Sequence, residues 1–443
     1  MRGLFHGGIE PAGKKQLTSG REPQTVFRPK QVILPMRQHI GTAGKPLVKL
    51  GDHVELGQKI GDGEGLCVPV HASVSGRVDA VDERPHPGGG MGLAVVIHND
   101  GQDRPAKRRE IRRETGRDHE RLAKTEILRR IREGGIVGMG GAAFPTSVKA
   151  QLSEDLGSID TLIINACECE PYITADAMLL QMYPQQVLRG AMILADVLDP
   201  LYIVVAVEDN KKEAIQSLKQ ALKDYPQIHL EVLPTRYPQG GEKQLILAVS
   251  GFEMPSGRLA KEFGFGVFNA ATCAAVCKAV DEEIPLVRRI ITVTGEGINH
   301  PQNMIVPIGT PVSELIEAAG GLKASAGKVI LGGPMMGVAQ STLEVPVVKG
   351  TNAVLCLAED GAGNDSHGER LCIHCGLCVQ VCPVQLQPLY LYLAGKNQCR
   401  EELKSFCVMD CIECGCCAYI CPGKIPLVQW IRKGKQTLRG EKP

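Results

Sequence analysis

The chain contains the stretch Cys-Ile-His-Cys-Gly-Leu-Cys-Val-Gln-Val-Cys-Pro at residues 372–383, and residues 411–422 repeat it as Cys-Ile-Glu-Cys-Gly-Cys-Cys-Ala-Tyr-Ile-Cys-Pro. In both copies the cysteines follow C-x2-C-x2-C-x3-C with a proline next, and each position recurs after 39 residues. Of the 17 cysteines in the chain, 12 lie between Cys356 and Cys421. Because a disulfide framework needs an oxidising compartment, such clustering in an intracellular chain predicts metal binding.

The spacing is that of bacterial ferredoxin-type runs, in which the fourth cysteine of each run binds the cluster of the other run. We therefore expect two [4Fe-4S] clusters and an electron-carrying role. The first cluster would take Cys372, Cys375, Cys378 and Cys421, and the second would take Cys411, Cys414, Cys417 and Cys382. A pair of zinc sites is the alternative, but zinc knuckles generally pair two C-x2-C units across a longer gap. The cysteines off the repeat are predicted to be packing thiols, and they are Cys356, Cys399, Cys407 and Cys416.

Charge and hydropathy exclude several classes of function. The 443 residues carry 50 Lys and Arg against 49 Asp and Glu, so no net field attracts the chain to nucleic acid or anionic lipid. The most apolar stretch, Ala191–Val207, is interrupted by Asp196, Asp199 and Pro200. A membrane helix needs about 20 mostly apolar residues, so we expect no transmembrane segment. The opening residues 1–8 have no apolar run, and we expect no export signal.

Between residues 122 and 280 the pattern alternates between helix and strand, which predicts a parallel sheet in an α/β domain. The expected elements are a helix over 122–133, a loop from Gly134 to Pro145, a helix from Thr146, a strand Thr161–Asn165, a helix over 175–198, a strand Leu201–Val207 and a helix over 210–224.

Two loops of this domain suggest a ligand site. Glycines in Gly138-Met-Gly-Gly-Ala-Ala-Phe-Pro-Thr146 let backbone amides approach a ligand, and Thr146 could cap a helix whose N-terminus binds phosphate, with Lys149 beside it. The spacing is not the dinucleotide-binding fingerprint. The strand at 161–165 ends in Asn-Ala-Cys-Glu-Cys-Glu-Pro171, and its polar groups suit the hydroxyls and ring nitrogens of a flavin or nucleotide. An ordinary glycine turn and polar loop are the alternative.

Both loops resemble the flavin- and NADH-binding subunit of respiratory complex I, through Gly138-x-Gly-Gly-Ala-x-Phe-Pro-Thr-x-x-Lys149 and Asn165-Ala-x-Glu-x-Glu-Pro171. That subunit has a different, single-cluster C-terminal region. The opening Phe5-His-Gly-Gly-Ile9, the stretch Met36-Arg-Gln-His-Ile-Gly41 and the two cysteine runs resemble the RnfC family, which provides the C subunit of the Rnf ion-translocating electron transport complex. This second resemblance covers nearly the whole chain.

The resemblance implies a noncovalent FMN that exchanges a hydride with NADH, so that no side chain is expected to be catalytic. The FMN phosphate and ribityl chain would be held by Gly138, Gly140 and Lys149. The rest of the flavin site would be formed by Asn165, Glu168, Glu242, Asn269 and Thr272. The nicotinamide nucleotide would be faced by Gly141, Phe144 and Glu170. Three positions depart from the complex I pattern, where Cys167 replaces aspartate, Lys243 replaces glutamate and Phe268 replaces asparagine.

The expected fold class is multidomain α/β. The resemblance divides the chain into an N-terminal β-hybrid, lipoyl-like domain (1–110), a Rossmann-like α/β flavin domain (111–285), a β-grasp SLBB domain (286–350) and a ferredoxin-type dicluster domain (351–443). We expect the first domain to be non-acylated, because its exposed hairpin tip, Ala72-Ser73-Val74, has no lysine. The charged stretch 103–133 is expected to be a linker followed by a helix.

The resemblance also implies a function. It makes the chain a peripheral subunit on the cytoplasmic side of the cell membrane and an NAD:ferredoxin oxidoreductase component coupled to ion transport. Its partners would be the membrane and iron–sulfur subunits, with ferredoxin reached through the complex. A soluble cobalamin reductase of the propanediol-utilisation type is one alternative, although Phe5-His-Gly-Gly-Ile9 favours the Rnf type. A non-catalytic relay that lacks flavin is another.

Overall fold

The fold was analysed on a computed structural model, which describes residues 4–23, 26–106, 122–151, 158–359 and 371–440. The N-terminal part (residues 4–106) follows the short strands and Gly-rich turns of its sequence. Its strands are β1 Gln31–Pro35, β2 Lys45–Pro46, β3 His53–Val54, β4 Lys59–Asp62, β5 Val70–His71, β6 Gly76–Pro85 and β7 Met91–Asn99. They form two antiparallel sheets, in the orders β1-β7-β6-β3 and β2-β4-β5.

The hairpin tip of this part is buried, whereas the sequence led us to expect it to be exposed. Ala72, Ser73 and Val74 have no more than 1% of their surface exposed, and the Ser73 hydroxyl donates a hydrogen bond to the Ile308 carbonyl. The reason is that small and apolar side chains at the tip pack against the following β-grasp segment. The tip is therefore a contact between two parts of the chain.

The α/β part (residues 122–151 and 158–281) has the parallel sheet that the alternating pattern predicts. Its elements are α1 Lys124–Glu133, α2 Thr146–Ala150, β8 Thr161–Ala166, α3 Ala175–Met182, α4 Pro184–Leu198, β9 Tyr202–Glu208, α5 Lys212–Ala221, β10 Ile228–Leu233, α6 Glu242–Ser250, β11 Phe265–Asn269 and α7 Ala270–Asp281. All strands are parallel in the order β10-β9-β8-β11. Short 3-10 turns cover Leu222–Asp224 and Ala260–Phe263.

One helix prediction in this part was wrong. The single helix expected over 175–198 is two helices, because Tyr183 leaves the helical conformation (φ −134°, ψ 45°) and α4 restarts at Pro184. Proline restricts the backbone conformation of the residue before it and suits the first position of a helix. The helix is therefore interrupted at Tyr183, and a new helix begins at Pro184. The helix expected to end the charged stretch 103–133 is α1, and residues 107–121 of that stretch lie outside the described residues.

The β-grasp part (residues 288–358) is a mixed sheet in the order β13-β12-β16-β14-β15. Its elements are β12 Arg288–Thr294, β13 Gln302–Pro307, α8 Val312–Ala318, β14 Ala326–Leu331, β15 Val338–Ala339 and β16 Ala353–Ala358. Central strand β12 pairs antiparallel with β13 and parallel with β16. Its core-packed face includes Ile291 and Val293, which alternate with Ile290 and Thr292 along the strand.

The C-terminal part (residues 371–440) repeats its backbone as well as its cysteines. Its helices are α9 Leu377–Gln380, α10 Pro388–Lys396, α11 Arg400–Ser405, α12 Cys416–Ile420 and α13 Leu427–Arg439. The starts of α9 and α12, and those of α10 and α13, are each 39 residues apart. Residues with a left-handed backbone conformation recur with the same offset, since His374 corresponds to Glu413 and Gly376 corresponds to Gly415. No helix in the described segments is long and apolar enough to cross a membrane.

Candidate functional site

Two parallel strands of the α/β part end side by side on asparagines. Asn165 of β8 and Asn269 of β11 are partners in the strand register. The Asn269 side-chain oxygen Oδ1 accepts from the backbone amides of Ala271 and Thr272 at 3.0 and 3.3 Å, so that it caps α7. The Asn165 side-chain nitrogen Nδ2 donates to the Gly240 carbonyl at 2.9 Å. The carboxyl edge of the sheet thus carries the polar groups expected of a ligand site.

The glycine loop (Gly134–Pro145) lies over this edge. The Met139 amide donates to the Thr272 hydroxyl at 2.9 Å, and the Gly138 amide donates to the Phe144 carbonyl at 2.8 Å. Gly140 lies so close to Asn269 that an added Cβ would be 3.3 Å from the Asn269 Cβ. The structure therefore brings together predicted site residues from the glycine loop, β11 and α7. Gly140 and Gly141 are exposed at the loop tip, and Phe144 is half-buried.

The expected threonine cap does not form. Pro145 occupies the N-cap position and Thr146 is the first residue of α2, which is only five residues long. A threonine inside the first turn cannot accept from its own later amides in the way that a capping residue does. Its hydroxyl is buried, and no hydrogen-bond partner for it lies in the described part of the chain. This leaves an unpartnered polar atom at the base of the glycine loop.

Lys149 and Glu242 face each other across the site. The Lys149 ammonium lies 2.7 Å from a Glu242 carboxylate oxygen and 5.5 Å from the centre of the Phe268 ring. Both charged side chains are partly exposed. Because such a pair contributes no more than about 1 kcal/mol, either side chain can exchange its partner for a ligand at small cost.

The predicted acidic residues are engaged by backbone amides. Glu168 has a left-handed backbone (φ 47°), and its carboxylate accepts from the amides of Asp176 at 2.6 Å and Ala177 at 3.2 Å, capping α3. Burial raises the pKa of Glu168. The Glu170 carboxylate accepts from the amides of Met335 and Met336 at 3.1 and 2.9 Å, and burial raises its pKa to about 7. Glu170 therefore contacts the β-grasp part, and its assignment to a nicotinamide nucleotide stays a prediction.

The three departures from the complex I pattern have structural consequences. Cys167 is fully buried and its thiol points to the Ala206 carbonyl, so it does not line the site. Phe268 is buried beneath Lys149. Lys243 donates to the Pro255 carbonyl at 3.2 Å and lies 3.9 Å from Asp410 of the C-terminal part.

Sequence reasoning missed a lysine that supports the acidic loop (Asn165–Pro171). The Lys15 ammonium donates to the carbonyls of Glu168, Glu170 and Ile173 at 2.8, 3.0 and 2.6 Å. Burial lowers its pKa. No local pattern around Lys15 indicates this role, because its partners are more than 150 residues away in the sequence.

Eight cysteine thiols line two cavities in the sets that the ferredoxin pattern predicts. The first thiol set, Cys372, Cys375, Cys378 and Cys421, lines a cavity of ≈ 180 Å³, and the second, Cys382, Cys411, Cys414 and Cys417, lines one of ≈ 20 Å³. Backbone amides donate to these sulfurs, from His374 to Cys372 at 3.4 Å and from Glu413 to Cys411 at 3.4 Å. Four thiols around one space, with amides aimed at the sulfurs, are the donor set that a four-iron cluster uses. In the same described segments, no three His, Cys, Asp or Glu side chains converge tightly enough to hold a single ion.

The cysteines off the repeat are not all packing thiols. Cys356 and Cys416 are buried, and Cys399 is half-buried, as expected of packing residues. Cys407 is exposed, so that prediction was wrong for this residue. The reason is local, since Cys407 takes a left-handed conformation (φ 54°) in the turn after α11 and its side chain faces solvent.

The second thiol set lies against the α/β part. The hydroxyl of Tyr237, a residue that is 2% exposed, donates to the Cys414 carbonyl at 2.8 Å. The Gln244 side-chain nitrogen Nε2 donates to the Pro383 carbonyl at 3.0 Å. Tyr237 begins the tyrosine loop (Tyr237–Glu242), which also supplies the carbonyl that Asn165 contacts. One short loop therefore touches both the strand edge and the backbone of a predicted cluster ligand.

Four family models match the chain in the order of its parts. They are the RnfC barrel sandwich hybrid domain at residues 4–102, the Nuo51 FMN-binding domain at 131–278, the SLBB domain at 290–339 and the 4Fe-4S binding domain at 368–385. These matches confirm the expected modular fold. They also confirm the expected cofactor types, because the chain has both an FMN-binding domain and a 4Fe-4S domain.

Curated relatives match almost all of the chain. The C subunit of the ion-translocating oxidoreductase complex from Serratia proteamaculans is 42% identical, over 98% of this chain and 61% of the relative. The protein of the same name from Yersinia pestis bv. Antiqua (strain Antiqua) is 43% identical, over 98% of this chain and 69% of the relative. The chain spans between about 60% and 69% of the length of the curated relatives it matches.

A solved NAD+-reducing [NiFe]-hydrogenase in the H2-reduced state is a distant structural neighbour. Its TM-score is 0.49 at 17% sequence identity, over 73% of this chain and 63% of that chain. A likeness at this level carries no functional argument. Identity above 40% over 98% of the chain, together with the N-terminal domain match, shows that the chain belongs to the RnfC family, the C subunits of the ion-translocating oxidoreductase complex.

Proposed function

We propose that the chain is an electron-transfer subunit of a membrane-bound ion-translocating oxidoreductase complex, and that it passes electrons between NADH and two [4Fe-4S] clusters through noncovalent FMN. The observation that carries this proposal is the tyrosine loop, which contacts Asn165 at the candidate flavin site and Cys414 in the second thiol set. The FMN-binding and 4Fe-4S domain matches support it.

The chain's own residues would hold and orient the flavin. Gly138 and Gly140 would lie against its phosphate and ribityl chain, with the Gly140 amide toward the phosphate, and Lys149 would add a positive charge. The pocket would be completed by Asn165, Glu168, Glu242, Asn269 and Thr272. The nicotinamide nucleotide would lie toward Gly141, Phe144 and Glu170. Bound FMN would supply the conversion between two-electron and one-electron transfer, which NADH and the clusters require.

The two thiol sets would have different neighbours. The second set lies against the tyrosine loop, and we assign it to the side that exchanges electrons with the flavin. In the first set Cys375 is exposed, and the adjoining Leu371 and Ile373 are 90% and 68% exposed. We therefore assign the first set to the side that faces a partner protein.

The domain boundaries at residues 110, 285 and 350 are part of the same proposal.

The proposed partners and location follow from membership of the family. We propose that the chain associates with the membrane and iron–sulfur subunits of an Rnf-type complex at the cytoplasmic face of the cell membrane, that it reaches ferredoxin through that complex, and that electron transfer is coupled to ion transport. Matches to ion-translocating oxidoreductase subunits at 42–43% identity favour this assignment over a soluble cobalamin reductase.

The experiment that tests the function measures cofactors and acceptors together. The purified chain is expected to contain about one FMN and about eight irons, four for each cluster. It should associate with membrane subunits of its complex when they are expressed together, and it should not reduce cobalamin with NADH. Rapid NADH-dependent cobalamin reduction without membrane association would favour the soluble reductase, and iron without FMN uptake would favour the relay.

A further inference from the structure

Two buried cations of the β-grasp part lie behind the glycine loop. Arg289 of β12 and Lys349 are 5% and 1% exposed. The Lys349 ammonium donates to the carbonyls of Pro69 and Gly135, both at 2.7 Å. The Arg289 guanidinium donates to the Lys349 carbonyl and, at 3.4 Å, to the Met139 carbonyl. Both cations therefore contact the buried side of the loop through its carbonyl oxygens.

Neither cation forms an ion pair with any residue that the structure describes. The charges of Asp176 and Asp62 act on Arg289 and Lys349, respectively. The Asp176 carboxylate, however, accepts from the Asn269 side-chain amide at 2.6 Å, and Asp62 is paired with Lys59 and Arg132, each at 3.0 Å. Burying a cation without a carboxylate partner costs several kcal/mol. Burial lowers the pKa of Arg289 to about 10, so that it stays charged at neutral pH, and it lowers that of Lys349 to about 7. An anion on the far side of the loop would offset this cost.

The same contacts set the direction of the loop amides. A trans peptide unit is planar, so its N–H points opposite to its C=O. Because the Met139 carbonyl points to buried Arg289, the Gly140 N–H points to the exposed side. In the described part of the chain no acceptor receives that N–H. The Thr146 hydroxyl, buried at the base of the same loop, is also unpartnered.

We propose that Arg289 and Lys349 are positioning residues that make the exposed side of the glycine loop select a phosphate ester. Arg289 turns the Gly140 amide outward through the Met139 carbonyl, Lys349 holds the Gly135 carbonyl, and both place positive charge behind the loop. The inference rests on the proposed function, and it assigns the selected group to the phosphate of FMN. Neither side chain touches the ligand, since each acts through the loop. Residues contributed by the β-grasp part would therefore determine the ligand specificity of the α/β part.

The test compares two ligands that differ in the phosphate alone. Dissociation constants of FMN and riboflavin are measured for the full chain and for Lys349→Gln, Arg289→Gln and Arg289→Lys. Each glutamine variant is expected to weaken FMN binding by about tenfold or more and riboflavin binding by less than about twofold. Arg289→Lys keeps the charge and should restore much of the preference for FMN. Arg189→Gln is the matched control, because Arg189 of α4 is paired with Asp281 of α7 at 2.8 Å.

The outcomes separate the inference from the proposed function. Equal weakening of FMN and riboflavin in the glutamine variants, including loss of both, would overturn the inference. Unchanged FMN affinity in both variants would do the same. A wild-type chain that binds neither FMN nor riboflavin would contradict the proposed function instead. The dissociation constants of NADH and reduced nicotinamide riboside are measured as a second ligand pair. If the glutamine variants weakened NADH binding alone and left FMN binding unchanged, the assignment of the phosphate to FMN would be wrong.

Discussion

The Tyr237 hydroxyl donates a hydrogen bond to the Cys414 carbonyl at 2.8 Å. Tyr237 belongs to the loop that borders the candidate flavin site, and Cys414 belongs to the second thiol set. The bond is buried, so the two residues fix the α/β part against the backbone that carries a predicted cluster ligand. The bond therefore links the border of the candidate flavin site to the second thiol set within one chain.

Tyr237→Phe should weaken this contact without removing either cofactor. The change leaves the buried Cys414 carbonyl without its donor, which costs about 1–3 kcal/mol. We expect a lower thermal midpoint, unchanged FMN and iron contents, and slower reduction of the clusters by NADH. Tyr202→Phe is the matched control, because Tyr202 of β9 is 59% exposed. A variant with wild-type stability and cluster reduction rate would show that the bond has no role.

Cys375→Ser should remove one cluster and leave FMN bound. Cys375 lines the cavity of the first thiol set, and serine is a poor ligand in a site built from thiolates. Iron should fall by about half, to about four per chain, with FMN unchanged. Cys407→Ser provides the control, since Cys407 is exposed and lies off the repeat. If Cys375→Ser kept all its iron, or if zinc accounted for the metal in the wild type, the ligand assignment would be wrong.

Lys149→Ala should release FMN while iron is retained. Lys149 lies 2.7 Å from Glu242, beside the glycine loop, and its loss removes the positive charge assigned to the phosphate. Lys212→Ala on the exposed side of α5 is the control for loss of a lysine. Flavin content is measured from absorbance after gel filtration. Full retention of FMN by Lys149→Ala would refute the role assigned to Lys149.

Glu168→Ala should also lose FMN and keep iron, but it removes a helix cap as well. The Glu168 carboxylate accepts from two amides at the start of α3. Glu168→Gln separates the two effects, since its carbonyl oxygen can still cap the helix. We expect Glu168→Gln to be more stable than Glu168→Ala in thermal unfolding, and both to bind FMN more weakly than the wild type. Wild-type flavin content in both variants would exclude Glu168 from the site.

Glu170 should make stability depend on pH. Burial raises its pKa from 4.5 to about 7, so the folded state holds a proton that the unfolded state releases between these values. The Glu170 contribution to the free energy of unfolding is therefore greatest at low pH, and it is lost as the pH rises to about 7. Glu170→Gln mimics the protonated acid, so it should match the wild type near pH 4 and exceed its thermal midpoint at pH 8. Equal midpoints at pH 8 would contradict this account.

Local patterns predicted the parts of the molecule that depend on nearby residues. The starts of α10 and α13 are 39 residues apart, like the two cysteine runs. The reason is that the two cysteine loops have the same backbone conformation and are each followed by a helix. The alternation over 122–280 predicts the parallel sheet, and Pro184 is the sequence signal for the helix break. Glu168 and Glu170 were recognised by motif, but their amide partners were not foreseen.

Contacts between distant residues could not be predicted. Lys15, Arg289 and Lys349 contact loops of the α/β part only after the parts of the chain have packed together. None of them lies in a recognisable motif, and a lone lysine or arginine in a sequence usually indicates an exposed side chain. The buried hairpin tip at Ser73 has the same origin, since its partner Ile308 comes from another part of the fold.

The most direct test of the central claim is an anaerobic titration of the purified chain with NADH, followed by its visible spectrum. We predict that the flavin absorbance bleaches first and the cluster absorbance falls after it, with both changes complete at a few equivalents of NADH. Such a result would establish electron transfer from NADH through FMN to the clusters within this chain. Flavin and cluster spectra that do not change with NADH, in a chain that contains both cofactors, would contradict the account.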